Sequence, residues 1–230
     1  MNNTTSEITL RADGITKTYP SGSGAIRVLN QINLELSHGD FVTISGPSGC
    51  GKSTLLMVLG ALQEPDDGIL EYNGVSPYNL SAKDRAQFRS TNIGFVFQDF
   101  NLVPYLTVRE NILCPGIVNL SKDWETRCAE LIESLGLSDR ASHYPDQLSS
   151  GEKQRTALAR ALLVEPAIIF ADEPTGNLDQ DNGKRVLDHL TSYADNGATV
   201  MMATHDRDAF DTGNKHLQMD NGSILKLISE

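Results

Sequence analysis

The chain lacks any long apolar run. Nothing in its 230 residues approaches the roughly 18 consecutive apolar positions of a membrane-spanning helix; Ala167–Ala171 stops at five. The opening Met-Asn-Asn-Thr-Thr-Ser-Glu has neither a basic nor an apolar stretch, so no secretory signal is expected. Cysteines are few: Cys50, Cys114 and Cys128 form an odd set without a C-x-x-C pair, which fits a reducing compartment. Positive charge is short too. With 19 Lys and Arg against 30 Asp and Glu, the net charge is −11, which disfavours non-specific nucleic-acid binding, since that depends on neutralising phosphates. No internal repeat or low-complexity linker divides the sequence. At 39% apolar and 21% charged residues it reads as a globular chain, expected to be cytoplasmic.

Four runs rich in β-branched and aromatic residues are present: Phe41–Ser45, Ile93–Phe97, Ala167–Ala171 and Thr199–Ala203. They are apolar on both faces or nearly so, as strands buried in a parallel sheet are. Helical patterns separate them at Lys52–Leu62, Thr126–Leu135, Glu152–Leu163 and Asp181–Asp195, and this alternation predicts an α/β core. Asn73-Gly74 and Asn221-Gly222 lie beside short strand-like runs. Asn-Gly favours the positive φ of tight hairpins, so some antiparallel sheet is expected as well. The four strands lead into Gly46–Thr54, Gln98, Asp172-Glu173 and Thr204-His205. Ligands of open α/β sheets bind beyond the carboxyl ends of the strands, so these elements are expected to converge.

Gly46-Pro-Ser-Gly-Cys-Gly-Lys-Ser53 matches G-x-x-x-x-G-K-[ST]. Its glycines let backbone N–H groups wrap an oxyanion, Lys52 reaches the β- and γ-phosphates, and Ser53 ligates magnesium. Ser48, Gly49, Cys50, Gly51 and Thr54 complete the expected nucleotide contacts, with the positive end of a helix behind them. Asp172 can hold magnesium through water and Glu173 can polarise the attacking water; the plainer reading is two solvated acids at a strand end. His205 alone reads as an ordinary capped histidine, and beside a phosphate loop as a contact to the γ-phosphate. Leu148-Ser-Ser-Gly-Glu152 opens a helix. Ser149-x-x-Glu152 is a capping box there, and the Ser, the Gly and the positive helix end also form a second phosphate site.

The ordered set resembles the ATP-binding cassette of ABC transporters over nearly the whole chain. On that resemblance Gly46–Thr54 is the Walker A loop, Gln98 the Q-loop glutamine and a further magnesium ligand, and Leu148–Glu152 the signature. Ile168–Glu173 is Walker B, Asn177-Leu178-Asp179 the D-loop, and His205 the switch histidine, while Tyr19 stacks on adenine. The segments Ile93–Asn111 and Asp172–Asp179 are similar to the lipoprotein-releasing and macrolide-exporter branch, and are shared by cell-division ATPases and antimicrobial-peptide exporters. The resemblance implies an α/β P-loop NTPase (RecA-like) core with an N-terminal antiparallel β subdomain. It also implies a helical signature subdomain at about 99–155, within a single domain 1–230. Two copies would pair head to tail around ATP, with Ser149, Gly151, Glu152 and Asp179 of one copy touching the ATP of the other. Lys52, Glu173 and His205 would then be the catalytic groups. The implied partners are integral membrane permease subunits, met partly through the apolar cluster Phe100–Tyr105, and the implied location is peripheral, on the inner face of the membrane.

The family's signature is Leu-Ser-Gly-Gly-Gln, whereas Ser150 and Glu152 stand here in place of the first Gly and the Gln. Ser150 would be strained if that position needs positive φ. Cys50, inside the phosphate loop beside Lys52, is expected either to be partly exposed and reactive or to be an inert filler. A soluble ABC ATPase is the other class weighed. Repair members insert a long coiled coil where only Thr54–Gln147 lies here, and translation members carry two cassettes. A GTPase is unsupported, since Asn214-Lys215-His216-Leu217 misses the Asp that reads guanine.

Overall fold

The computed structural model describes residues 8–22, 24–118 and 123–229; the opening Met1–Glu7, read above for a signal, lies outside them. A six-stranded sheet forms the centre. Its order is β5 (Ile93–Phe97), β6 (Ile168–Asp172), β7 (Thr199–Ala203), β3 (Phe41–Ser45), β8 (Lys215–Asp220) and β9 (Ser223–Ser229). All pairs are parallel except β8 with β9. Side chains alternate between two separate cores. Ile168, Phe170, Met201 and Ala203 face one, while Ile169, Ala171, Val200 and Met202 face the other. Both cores are filled, which is why these strands read as unbroken apolar runs. The third run starts one residue later than expected and ends on Asp172, which still pairs with Phe97.

A second, antiparallel sheet of order β2-β1-β4 covers the first core; its strands are β1 (Ile8–Ser21), β2 (Gly24–Ser37) and β4 (Asp67–Tyr72). Helix α1 (Lys52–Leu59) lies between the sheets. Its Leu55, Leu56, Val58 and Leu59 join Ile15 and Leu34 of the second sheet and Ile44 and Phe170 of the first in one buried cluster. Each such side chain contributes about 1.5–3 kcal/mol of burial. The helix stops at Leu59 rather than Leu62. A Cβ on Gly60 would stand 1.9 Å from the Phe95 ring, and Ala61 takes φ 53. Carbonyls released at that end are taken up by side chains. The Tyr72 hydroxyl donates to Leu59 O, Tyr78 donates to Val58 O (2.6 Å), and Arg89 donates to Ala61 O (3.1 Å).

On the other face pack α3 (Val108–Leu113), α4 (Trp124–Ser134), α5 (Ser150–Leu162) and α6 (Gln180–Asp195), while α2 (Ala82–Asn92) buries no residue fully and α7 (Arg207–Phe210) follows β7. Among the described residues between Asp99 and Arg155 there is helix, turn and loop but no strand. Asn221-Gly222, with φ 45 and 77, turns β8 into β9. Asn73-Gly74, with φ 47 and 79, turns β4 back only as far as a single bridge between Tyr72 and Val75.

Candidate active site

The loop from β3 to α1 is pressed against the backbone on both sides. Gly46 has φ 154 and Gly51 has φ 107. A Cβ on Gly46 would stand 2.3 Å from Met219 O of β8, and one on Gly51 would stand 2.6 Å from Val28 O of β2, so only glycine fits at either position. Helix α1 begins there without a side-chain cap and without an acid in its first turn. Its first N–H groups are therefore free to meet an anion. The Lys52 ammonium folds back onto the loop, donating to Gly46 O at 2.7 Å and Pro47 O at 3.0 Å.

Over the loop lies a cavity of about 380 Å³, lined by Val28, Gly46, Ser48, Gly49, Gly51, Lys52, Ser53 and Thr54 and closed from across the sheet by Glu173 and His205. Glu173 follows β6 in the left-handed region, at φ 46. Two backbone bonds fix it there: its own N–H donates to Ala203 O (2.9 Å) and Gly176 N–H donates to its carbonyl (3.1 Å). Its Oε2 lies 2.8 Å from Nδ1 of the exposed His205. Asp172, at the end of β6, faces the Ser53 hydroxyl and the Lys52 ammonium. Burial pushes the Asp172 carboxyl above its ordinary range; the Glu173 charge adds to this, while Ser53 and Lys52 pull it back.

The start of α5 forms a separate surface. Ser149 caps the helix: its hydroxyl accepts from Glu152 N–H at 3.3 Å, and Glu152 Oε2 accepts from Ser149 N–H at 2.8 Å. Burial works against the Glu152 charge. Even so, hydrogen bonds from Ser149 and Arg140 prevail and hold its carboxyl below the usual range. Gly151 is buried against Asn182, 2.7 Å from a would-be Cβ. Asn182 donates to Asp179, the cap of α6, at 2.7 Å and accepts from Arg155 at 2.5 Å. The Ser149 and Asp179 segments are thus joined within one chain, and none of Ser149, Gly151, Glu152 and Asp179 lines the cavity over the phosphate loop.

The ABC transporter family profile matches residues 29–176. The chain belongs to the ABC transporter family. It is 43% identical over 215 residues to the lipoprotein-releasing system ATP-binding protein LolD 1 of Rhodopirellula baltica, covering 92% of this chain and 94% of that protein. It is 39% identical over 214 residues to the macrolide export ATP-binding/permease protein MacB of Marinobacter nauticus, covering 92% of this chain and 33% of that protein. A dimeric ATP-binding cassette solved in a post-hydrolysis state with ADP and Pi superposes with a TM-score of 0.90 at 36% identity, covering 96% of this chain and 98% of that one. This protein is an ATP-binding cassette of the ABC family, and ATP hydrolysis is its chemistry.

Within this ABC cassette, Gly46, Ser48, Gly49, Gly51, Lys52, Ser53, Thr54, Glu173 and His205 meet at one cavity. Cys50 does not. The residue is only 6% exposed, packed in the core beneath the loop where a Cβ on Gly46 would lie 2.8 Å from its Sγ, so of the two readings the buried filler fits and the partly exposed, reactive thiol does not. Tyr19 lies outside the lining, half-buried, with its hydroxyl donating to Gln63 Oε1 at 2.6 Å. Gln98 is exposed, and its amide flanks Gly176 opposite Glu173. A Cβ on Gly176 would lie 3.1 Å from Gln98 Nε2 and 3.4 Å from Glu173 Oε2. Ser150 is the first residue of α5 and is absent from the positive-φ positions, so the strain considered for it does not arise. Sequence reasoning missed Val28, Arg140, Asn182 and Arg160. Only Asn182 carries a local signal, standing three residues after the capping Asp179.

Proposed function

We propose that the chain is the motor subunit of a transporter whose membrane-spanning subunits are separate polypeptides, and that it extrudes lipoprotein, lipid, peptide or drug cargo. It works as an ATP-dependent head-to-tail homodimer, held peripherally at the inner face of the membrane by those subunits. One observation carries the reading: the chain is 43% identical to a lipoprotein-releasing system ATP-binding protein over 94% of that protein's length. Among the described residues no helix is long and apolar enough to cross a membrane. A cleft of about 430 Å³ between α2, β5 and α5, with Phe95 and Phe97 in its floor and Arg89 and Arg160 on its walls, supports docking of a membrane subunit. Tyr105, in the apolar cluster that follows Gln98, is 77% exposed.

Ser53 and Asp172 supply hard oxygen donors, and a carboxyl whose pKa burial has raised gains from a cation beside it; the pair fits magnesium, with Gln98 as a further ligand. When bound, the ion offsets charge on the phosphates. The chain's own residues do the rest. Lys52 exchanges the Gly46 and Pro47 carbonyls for phosphate oxygens, Tyr19 stacks on the adenine, and the free N–H groups of the loop and α1 hold the β-phosphate. Glu173 orients a water and takes its proton, while His205, paired to Glu173, stabilises charge at the γ-phosphate. Ser149, Gly151, Glu152 and Asp179 of the facing copy close the site, and neither copy alone owns a complete one.

Co-expression with a permease subunit from the same organism, followed by reconstitution into liposomes, tests the reading. The expected result is a complex whose ATPase rate exceeds that of the free chain and falls to background with Glu173→Gln. Failure to form a complex, with an unchanged rate, would overturn it.

A further inference from the structure

The signature end of α5 carries a carboxylate, Glu152, whose negative charge the function above leaves unbalanced beside a phosphate. Glu152 Oε2 accepts from Ser149 N–H at 2.8 Å and from Ser149 Oγ at 3.0 Å, and Glu152 Oε1 accepts from Arg140 Nε at 2.8 Å. Arg140 sits on the turn Ser138–Arg140, outside the signature motif. The Glu152 side chain is 18% exposed, so its charge is poorly served by water. Arg155 also acts on Glu152 electrostatically, but its guanidinium is bound to Asn182.

Two consequences follow for any phosphate that meets Ser149. The hydroxyl proton already has an acceptor, so donating it to phosphate means exchanging one anion for another. A carboxylate oxygen and a phosphate oxygen that both lie within hydrogen-bond reach of one hydroxyl oxygen stand about 5 Å apart, and two negative charges at that separation repel strongly in a partly desolvated site. A neutral glutamine at this position would pose no such conflict.

We propose that Arg140 is a positioning residue for closure on ATP: it neutralises Glu152, so that the carboxylate orients Ser149 without repelling the γ-phosphate presented by a second copy. The inference rests on the head-to-tail reading above. It makes Arg140 the counterpart of the Glu152 departure, and it ties a turn twelve residues upstream to the nucleotide of the facing subunit.

The test uses the full chain carrying Glu173→Gln, which holds closed dimers, and light scattering to find the ATP concentration for half-maximal dimerisation. Arg140→Gln raises that concentration roughly tenfold. Arg140→Lys raises it less than about threefold, and about 0.5 M salt shrinks the Arg140→Gln defect by screening. In a Glu152→Gln background the same Arg140→Gln change has less than about a twofold effect, because no charge is left to neutralise. An equal penalty in both backgrounds, or none in either, would overturn the inference. Ser149→Ala separates the two levels. If it weakens dimerisation while Arg140→Gln does not, the role of Arg140 alone falls; if it has no effect, the head-to-tail contact falls and the role of Arg140 with it.

Discussion

Glu173 holds a left-handed backbone that glycine adopts freely, and replacing it should make the protein more stable as it makes it inactive. A non-glycine residue at φ 46 bears about 1–2 kcal/mol of steric cost. Glycine removes that cost but loses about 0.5–1 kcal/mol through the greater freedom of the unfolded chain. The ion pair to His205 subtracts little, since the His205 side chain is 68% exposed. Glu173→Gly is therefore expected to gain about 1 kcal/mol, which in a chain of this size raises Tm by about 2–4 °C. Glu173→Gln is the matched control, for it removes the same charge and keeps the strain. Calorimetry without nucleotide measures both variants, and phosphate release confirms that both have lost hydrolysis. If Glu173→Gly melts at or below Glu173→Gln, the strained backbone is not a cost borne for the position of the carboxylate.

Three further outcomes are expected. Native protein treated with N-ethylmaleimide should label Cys50 and Cys128 only in denaturant, as both are buried, and mass spectrometry showing ATP-protected labelling of native Cys50 would contradict its placement. Asp172→Asn should raise Tm in metal- and nucleotide-free buffer at pH 7 while abolishing hydrolysis. The carboxyl's pKa is raised on folding, so the stability of its protonated form is lost as pH rises through that value, and the gain should vanish in acid, below the unfolded pKa; a gain independent of pH would refute this. Asn111→Ala should cost about 2–3 kcal/mol in urea unfolding, because the fully buried amide bonds Val103 N–H and the carbonyls of Val103, Leu106 and Thr107. A loss under 1 kcal/mol would mean the loop finds other partners.

The central strands were legible because each fills two cores, so that Phe41–Ser45, Ile93–Phe97 and Thr199–Ala203 are apolar on both faces or nearly so. The phosphate loop was legible because its glycines face backbone that admits no Cβ. Strands β1 and β2 were not legible as a pair. Gly14 at φ 63 and Gln31 at φ 50 lie at irregularities that shift the register around Ile15 and break the alternation a reader would follow. Helix α2 has no buried residue and so no apolar stripe, and only Ser81 capping Asp84 N–H marks its start. The burial of Cys50 depends on β8, whose Met219 lies some 170 positions away and crowds Gly46 into place. The Arg140–Glu152 contact depends on a turn that no periodicity describes.

Helix α5 is thirteen residues long, about 20 Å from end to end. Its first turn carries Ser149 and Glu152. Near its last, Arg160 donates to Phe100 O at 2.8 Å and to Asn101 O at 2.5 Å, gripping two consecutive left-handed residues just beyond Gln98. Between the tips the rod is buried through its own Thr156, Ala157, Leu158 and Ala159, and again at Ala161 and Leu162. Because it is buried near both ends as well as in the middle, the helix has no single pivot and can shift only as one body. A load placed on the Ser149 tip is therefore also a load on the Arg160 contacts to the Phe100–Asn101 bend.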